Sequence, residues 1–124
     1  MLICYFSSKT GNTLRFANKL DIPLKRIELG ATVDEPFVLF SPTYADGCGN
    51  HPVPPQIIKF LNNVDNRSKM LGVVGFGNRS FGRMFAIGST VIANKCNVPI
   101  LGKVELFGND DDVLYVREKI INVY

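Results

Sequence analysis

No apolar run in the sequence approaches the roughly 20 residues needed to span a bilayer, so no membrane role is expected. Histidine is nearly absent: His51 stands alone, and the cysteines Cys4, Cys48 and Cys96 show no C-x-x-C spacing. That leaves too few ligands for a zinc site, and an odd, widely spaced cysteine set is no disulfide framework. Cys4 and Cys96 sit among apolar residues and read as buried thiols, whereas Cys48 and His51 read as small-loop and surface-loop residues. There is no run of Lys or Arg, and a net charge of +3 spread along the chain gives a nucleic-acid partner little support. Internal repeats, low-complexity segments and linkers are also missing. The opening Met1-Leu2-Ile3-Cys4-Tyr5-Phe6 is apolar but has neither a basic flank nor a small-residue cleavage site. It reads as a strand, and the expected location is cytoplasmic.

What is there is alternation. Over 124 residues, room for one domain spanning 1–124, short apolar runs take turns with helical patterns. Strands are expected at Leu2 to Phe6, weakly around Ile27 and Leu29, at Phe37 to Phe40, at Leu71 to Gly75, and within Val98 to Leu106. Helices are expected from Asn12 to Leu20, from Pro54-Pro55 onward with Ile57, Ile58 and Leu61 inward, and from Phe81 to Asn94. A last helix opens on Asp110-Asp111-Asp112, where its dipole favours negative charge, and buries Val113, Val116 and Ile120. Strand alternating with helix specifies a parallel sheet covered on both faces. Five strands suit the order 2-1-3-4-5, and ligands of such sheets bind beyond the carboxyl ends of the strands at the switch point. For this order the relevant loops follow the first, third and fourth strands.

Those three loops carry suggestive chemistry. The first is Ser7-Ser8-Lys9-Thr10-Gly11-Asn12-Thr13. Four hydroxyls and a glycine at a helix start make a cradle for a phosphate, although one hydroxyl would suffice for an ordinary N-cap. The loop lacks G-x-x-x-x-G-K-[ST] and G-x-G-x-x-G, so a terminal monophosphate fits better than a nucleoside triphosphate or a dinucleotide. The second loop is Ser41-Pro42-Thr43-Tyr44-Ala45-Asp46-Gly47-Cys48-Gly49-Asn50; its glycines allow a flat ring close to the backbone, and Tyr44 offers a stacking face. The third is Gly75-Phe76-Gly77-Asn78-Arg79-Ser80-Phe81-Gly82, in which Gly77, Asn78, Phe81 and Gly82 suit the edge and face of a heterocycle. A phosphate cradle plus two ring-clasping loops describes FMN.

With these residues in hand, a family resemblance is evident. Ser7 to Thr13 resembles the phosphate loop of flavodoxins in general. The Pro42-Thr43-Tyr44 loop, Val53-Pro54-Pro55-Gln56, Gly77-Asn78-Arg79-Ser80-Phe81-Gly82 and Ala93-Asn94-Lys95-Cys96-Asn97-Val98-Pro99 resemble the NrdI family, from Leu2 to about Val116. The resemblance implies a flavodoxin-like three-layer α/β sandwich. It also implies FMN whose reduced form reacts with O₂. The superoxide or peroxide formed would serve assembly of the dimanganese-tyrosyl radical cofactor in the small subunit of class Ib ribonucleotide reductase. That dimetal, radical-bearing subunit is the implied partner, and a reductase the implied electron donor.

Two positions depart from the family pattern. Ala45-Asp46-Gly47 stands where many members have consecutive glycines, and Ser80 where an Asn is common. A carboxylate at Asp46 facing the ring would disfavour a negatively charged reduced flavin. Lys9, Arg79 and Arg83 on the cofactor side would favour it. No side chain is expected to act as a catalytic acid or base. Two other readings stay open on the residues alone. One is a general one-electron carrier flavodoxin with the same pocket. The other is a receiver-type signalling module, which would want clustered acidic residues at the strand ends.

Overall fold

The computed structural model describes residues 1–7, 10–44, 52–79, 82 and 85–124. Its strands are β1 (Ile3–Tyr5), β2 (Leu24–Arg26), β3 (Phe37–Pro42), β4 (Met70–Gly77) and β5 (Ile100–Glu105). Its helices are α1 (Asn12–Asn18), α2 (Pro55–Asn62), α3 (Val64–Arg67), α4 (Ile87–Cys96) and α5 (Asp110–Val123). The strands form a five-stranded sheet of order β2-β1-β3-β4-β5, with every neighbouring pair parallel. This is the expected topology.

Side-chain alternation along the strands builds two cores. In a strand successive side chains point to opposite faces. Accordingly Ile3, Val38, Phe40, Val74 and Phe76 pack on one face with Phe16 of α1 and Val113, Val116 and Ile120 of α5. Cys4, Phe37, Leu39 and Val73 pack on the other with Ile57, Phe60 and Leu61 of α2 and Ile92 of α4. All six residues of β3 are buried, as a central strand covered on both faces requires. On the first face Phe16, Phe40 and Phe76 form a ring cluster, with centroids 5.4 to 6.1 Å apart. Truncating a buried Phe to Ala typically costs about 3–5 kcal/mol.

Four local expectations need correction. The second strand lies at Leu24–Arg26, ahead of Ile27 and Leu29. As a sheet edge it has little buried surface, so hydropathy does not mark it; Ile27 enters the core just beyond it, and Leu29 is 84% exposed. Ile58 is 44% exposed, because Ile57, Phe60 and Leu61 already define the buried stripe of α2. The fourth helix begins at Ile87 and runs to Cys96, rather than spanning Phe81 to Asn94. It starts after Ala86, which has a left-handed backbone (φ 50°) and lies tight against β4: a Cβ on Gly77 would come within 2.8 Å of the Ala86 nitrogen. The helix then ends on Asn97 at φ 55°, a residue that tolerates the left-handed conformation.

The short helix α3 is the fourth correction, since hydropathy gives no sign of it. Asn63 caps it by accepting from the N–H groups of Asp65 and Asn66. Asn66 is buried and fully engaged: Nδ2 donates to the carbonyls of Ala31 and Phe60, and Oδ1 accepts from Val33 N–H. At the far end of the chain α5 opens with the expected acidic turn, organised as a capping box between Asn109 and Asp112.

Candidate functional site

Because all strands run parallel, the chain segments after β1, β3 and β4 emerge at one edge of the sheet. Of the first loop the structure describes Ser7, Thr10, Gly11, Asn12 and Thr13; Ser8 and Lys9 lie outside the described residues. Gly11 takes φ 71° at the N-cap of α1, a left-handed conformation suited to glycine, and no described side chain caps the helix. Among the described residues the first-turn N–H groups therefore have no side-chain acceptor of the usual capping kind. Thr13 is 1% exposed, and its Oγ1 has no hydrogen-bond partner among the described residues. A buried hydroxyl without a partner costs about 1–3 kcal/mol.

In the second loop Thr43 and Tyr44 are described, while Ala45, Asp46 and Gly47, together with Cys48 and His51, lie outside the described residues. Thr43 N–H donates to the Phe76 carbonyl at 2.9 Å, and its Oγ1 accepts from Gly88 N–H at 3.1 Å. Thr43 thus joins β3, β4 and the start of α4, a structural task the sequence did not suggest. Tyr44 N–H donates to the Pro52 carbonyl at 2.8 Å, which ties together the two ends of the 45–51 segment. The Tyr44 side chain is 37% exposed, so its ring is accessible.

The third loop leaves β4 at Gly77 and continues through Asn78 and Arg79 to Gly82; Ser80, Phe81 and Arg83 lie outside the described residues. Gly82 has φ 60°, and its carbonyl accepts from Phe85 N–H at 2.9 Å. The Arg79 guanidinium lies 5.4 Å from the centroid of the Phe85 ring, within cation–π range. Its backbone N–H donates to Glu105 Oε2 at 3.0 Å. Glu105, at the end of β5, is a neighbour of this loop that sequence reasoning missed. Nothing local to residue 105 signals it; only the register of β5 against β4, with Gly77 opposite Glu105, brings it there.

The remaining chemistry lies elsewhere. Burial pushes the Cys4 thiol up to about 12, with smaller opposing influences from Lys25 and Glu35. Such a thiol is protonated and unreactive at neutral pH. Cys96 is half-buried and also shifted upward by burial, with Arg67 and Lys95 pulling the other way. It lines a groove of about 490 Å³ between α2 and α4, which touches the loop region only through Pro52 and Val53. Among the described residues no cluster of three or more His, Cys, Asp or Glu could hold a metal ion. No described helix is long and apolar enough to cross a membrane.

A five-stranded parallel sheet of this order, covered by helices on both faces, defines a flavodoxin-like α/β protein. The solved structures agree on the fold. A short-chain flavodoxin associated with a PDU bacterial microcompartment superposes with a TM-score of 0.68 at 18% identity, covering 98% of this chain and 94% of that one. The two-electron reduced flavodoxin of Megasphaera elsdenii gives 0.66 at 15% identity, covering 98% and 99%. The family is narrower. Residues 4–118 match the model of the family described as NrdI flavodoxin-like. Protein NrdI of Bartonella bacilliformis is 49% identical over 94% of this chain and 92% of its own length. Protein NrdI of Corynebacterium glutamicum is 46% identical over 94% of this chain and 86% of its own. The chain belongs to the NrdI family. Family and fold together imply a flavin cofactor.

Proposed function

We propose that the protein binds FMN at the three loops and acts as the O₂-activating partner of a class Ib ribonucleotide reductase. The observation that carries the flavin part is Thr13: a hydroxyl 1% exposed, without a partner among the described residues, in the first turn of a helix that no described side chain caps. A phosphate there would accept from that hydroxyl and from the first-turn N–H groups, which turns an energetic cost into a charge-assisted bond. On this reading Ser7, Ser8, Lys9, Thr10, Gly11, Asn12 and Thr13 hold the phosphate. Thr43, Tyr44, Ala45, Asp46 and Gly47, with Gly77, Asn78, Phe81 and Gly82, would hold the ring.

FMN held there would supply the redox chemistry, carrying electrons from a partner reductase to O₂ with superoxide or peroxide as product. This chain's residues bind the cofactor, limit its orientation and set the charge around it. The net charge is +3, and Arg79 sits on the loop assigned to the ring. A positive surrounding favours a negatively charged reduced flavin and so a two-electron-reduced state at accessible potential. The oxidant would be consumed by the small subunit of the reductase, where a dimanganese site is converted to the tyrosyl-radical cofactor. Membership of the NrdI family supports this assignment.

The test is FMN uptake by the unchanged protein and by Thr13→Val, which keeps the shape and removes the hydroxyl. Replacing one charge-assisted bond is expected to weaken binding on the order of tenfold to a hundredfold. Equal affinity in the two proteins would remove Thr13 from the phosphate site, and no uptake by the unchanged protein would refute the flavin reading.

A further inference from the structure

The loop after β4 is latched to the end of β5 by two hydrogen bonds. Leu106 N–H donates to the Gly77 carbonyl at 2.9 Å, and Arg79 N–H donates to Glu105 Oε2 at 3.0 Å. At Glu105 to Gly108 the chain turns sharply. Gly108 N–H returns to the Glu105 carbonyl at 2.9 Å, with Leu106 at φ 53° and Gly108 at φ 70°. Leucine avoids the left-handed region, so the turn accepts strain at Leu106 while the latch is made. The carboxylate takes the backbone of Arg79, since the guanidinium is directed to the Phe85 ring 5.4 Å away.

The consequence lies in the Asn78–Arg79 peptide. A trans peptide unit is planar, with its N–H and C=O pointing in opposite directions, and the described chain contains no cis bond. Holding Arg79 N–H against Glu105 therefore directs the Asn78 carbonyl away from that carboxylate. The sheet order puts β3 on the opposite side of β4 from β5. Rotation of this one peptide would exchange a carbonyl for an N–H on the side facing away from Glu105. The edge of a flavin ring carries both donors and acceptors, so that exchange would change which of them this loop could match.

Resting on the flavin reading above, we infer that Glu105 is a positioning residue for the flavin. Its carboxylate fixes the Asn78–Arg79 peptide, and through it the polar groups this loop offers to the ring. A charged acceptor gives the stronger class of hydrogen bond, and glutamine at the same place retains an oxygen that can accept.

The experiment compares the unchanged protein with Glu105→Ala and Glu105→Gln. Hydrogen exchange of the Arg79 amide is followed in the FMN-free protein. FMN affinity, the visible spectrum and the two midpoint potentials are measured after reconstitution. For Glu105→Ala we expect faster Arg79 exchange, affinity weakened on the order of tenfold, and an altered spectrum and potentials. For Glu105→Gln we expect slow exchange and affinity restored to within about threefold of the unchanged protein. Unchanged affinity and spectrum in the Ala protein would overturn the inference. So would a Gln protein that exchanges slowly but binds FMN as poorly as the Ala protein, because charge and not orientation would then be at work. Failure of the unchanged protein to bind FMN would instead overturn the flavin reading; it is told apart because it precedes any comparison among the three proteins.

Discussion

Thr13 and Asn66 are both buried polar side chains, and they differ in what surrounds them. Asn66 is satisfied three times over within the chain, so Asn66→Leu leaves two carbonyls and one N–H without partners. We expect a loss of about 2–4 kcal/mol in urea unfolding. Thr13 makes no such bond among the described residues, so Thr13→Val should leave the FMN-free protein as stable as before, or slightly more so. A large loss there would show that its hydroxyl serves the fold. Thr13 stood out in the sequence because other hydroxyl side chains, Ser7, Ser8 and Thr10, crowd the same loop. Asn66 did not, because the groups it joins, Ala31, Val33 and Phe60, are brought to it only by folding. Cys4 gives a pH prediction of definite sign. Its thiol is held protonated up to about 12 in the folded state against an ordinary 9.0. Between those values the unfolded chain has lost a proton that the folded chain keeps, so stability falls as pH rises. It is fully present below about pH 9, and a stability that rises with pH in that window would contradict the assignment.

Among the elements, those with a strong apolar pattern were readable and those at edges and junctions were not. The run from Phe37 announces β3 because both its faces are covered. β2 is an edge strand whose Lys25 and Arg26 are exposed, so the apolar signal falls on Ile27 beyond it. The start of α4 depends on the close approach of Ala86 to Gly77, a contact between distant segments that no periodicity encodes. All three candidate loops were singled out in the sequence by their glycines, hydroxyls and aromatics. The bond from Glu105 to the third loop depends on strand register and had no local sign. The turn that carries Glu105 into α5 offers its own test. Gly108 has φ 70°, and an added Cβ would meet the Phe16 ring at 2.7 Å. Gly108→Ala should cost about 1–3 kcal/mol of stability from overpacking alone, read by urea unfolding. A neutral result would show that the ring cluster of Phe16, Phe40 and Phe76 has room to shift.

For the molecule as a whole, the order 2-1-3-4-5 followed from strand–helix alternation and chain length, and the sheet has it. That topology places three loops at one edge, where the chain carries a buried hydroxyl with no partner among the described residues, an accessible tyrosine and a latched Gly-Asn-Arg segment. The same topology belongs to flavodoxins, so fold cannot separate an O₂-activating partner from a general one-electron carrier. Charge bears on the difference. On the proposed reading, the positive chain stabilises the two-electron-reduced flavin, and neutralising Arg79 by Arg79→Gln should lower the potential of the second reduction step. An unchanged potential would remove Arg79 from that role. The most direct test of the central claim is an anaerobic, stepwise potentiometric titration of the FMN-reconstituted protein, followed by its visible spectrum. The account predicts two reduction steps lying close together, with little one-electron-reduced flavin accumulating. Widely separated steps with a very low second potential would contradict it and mark the protein as a one-electron carrier.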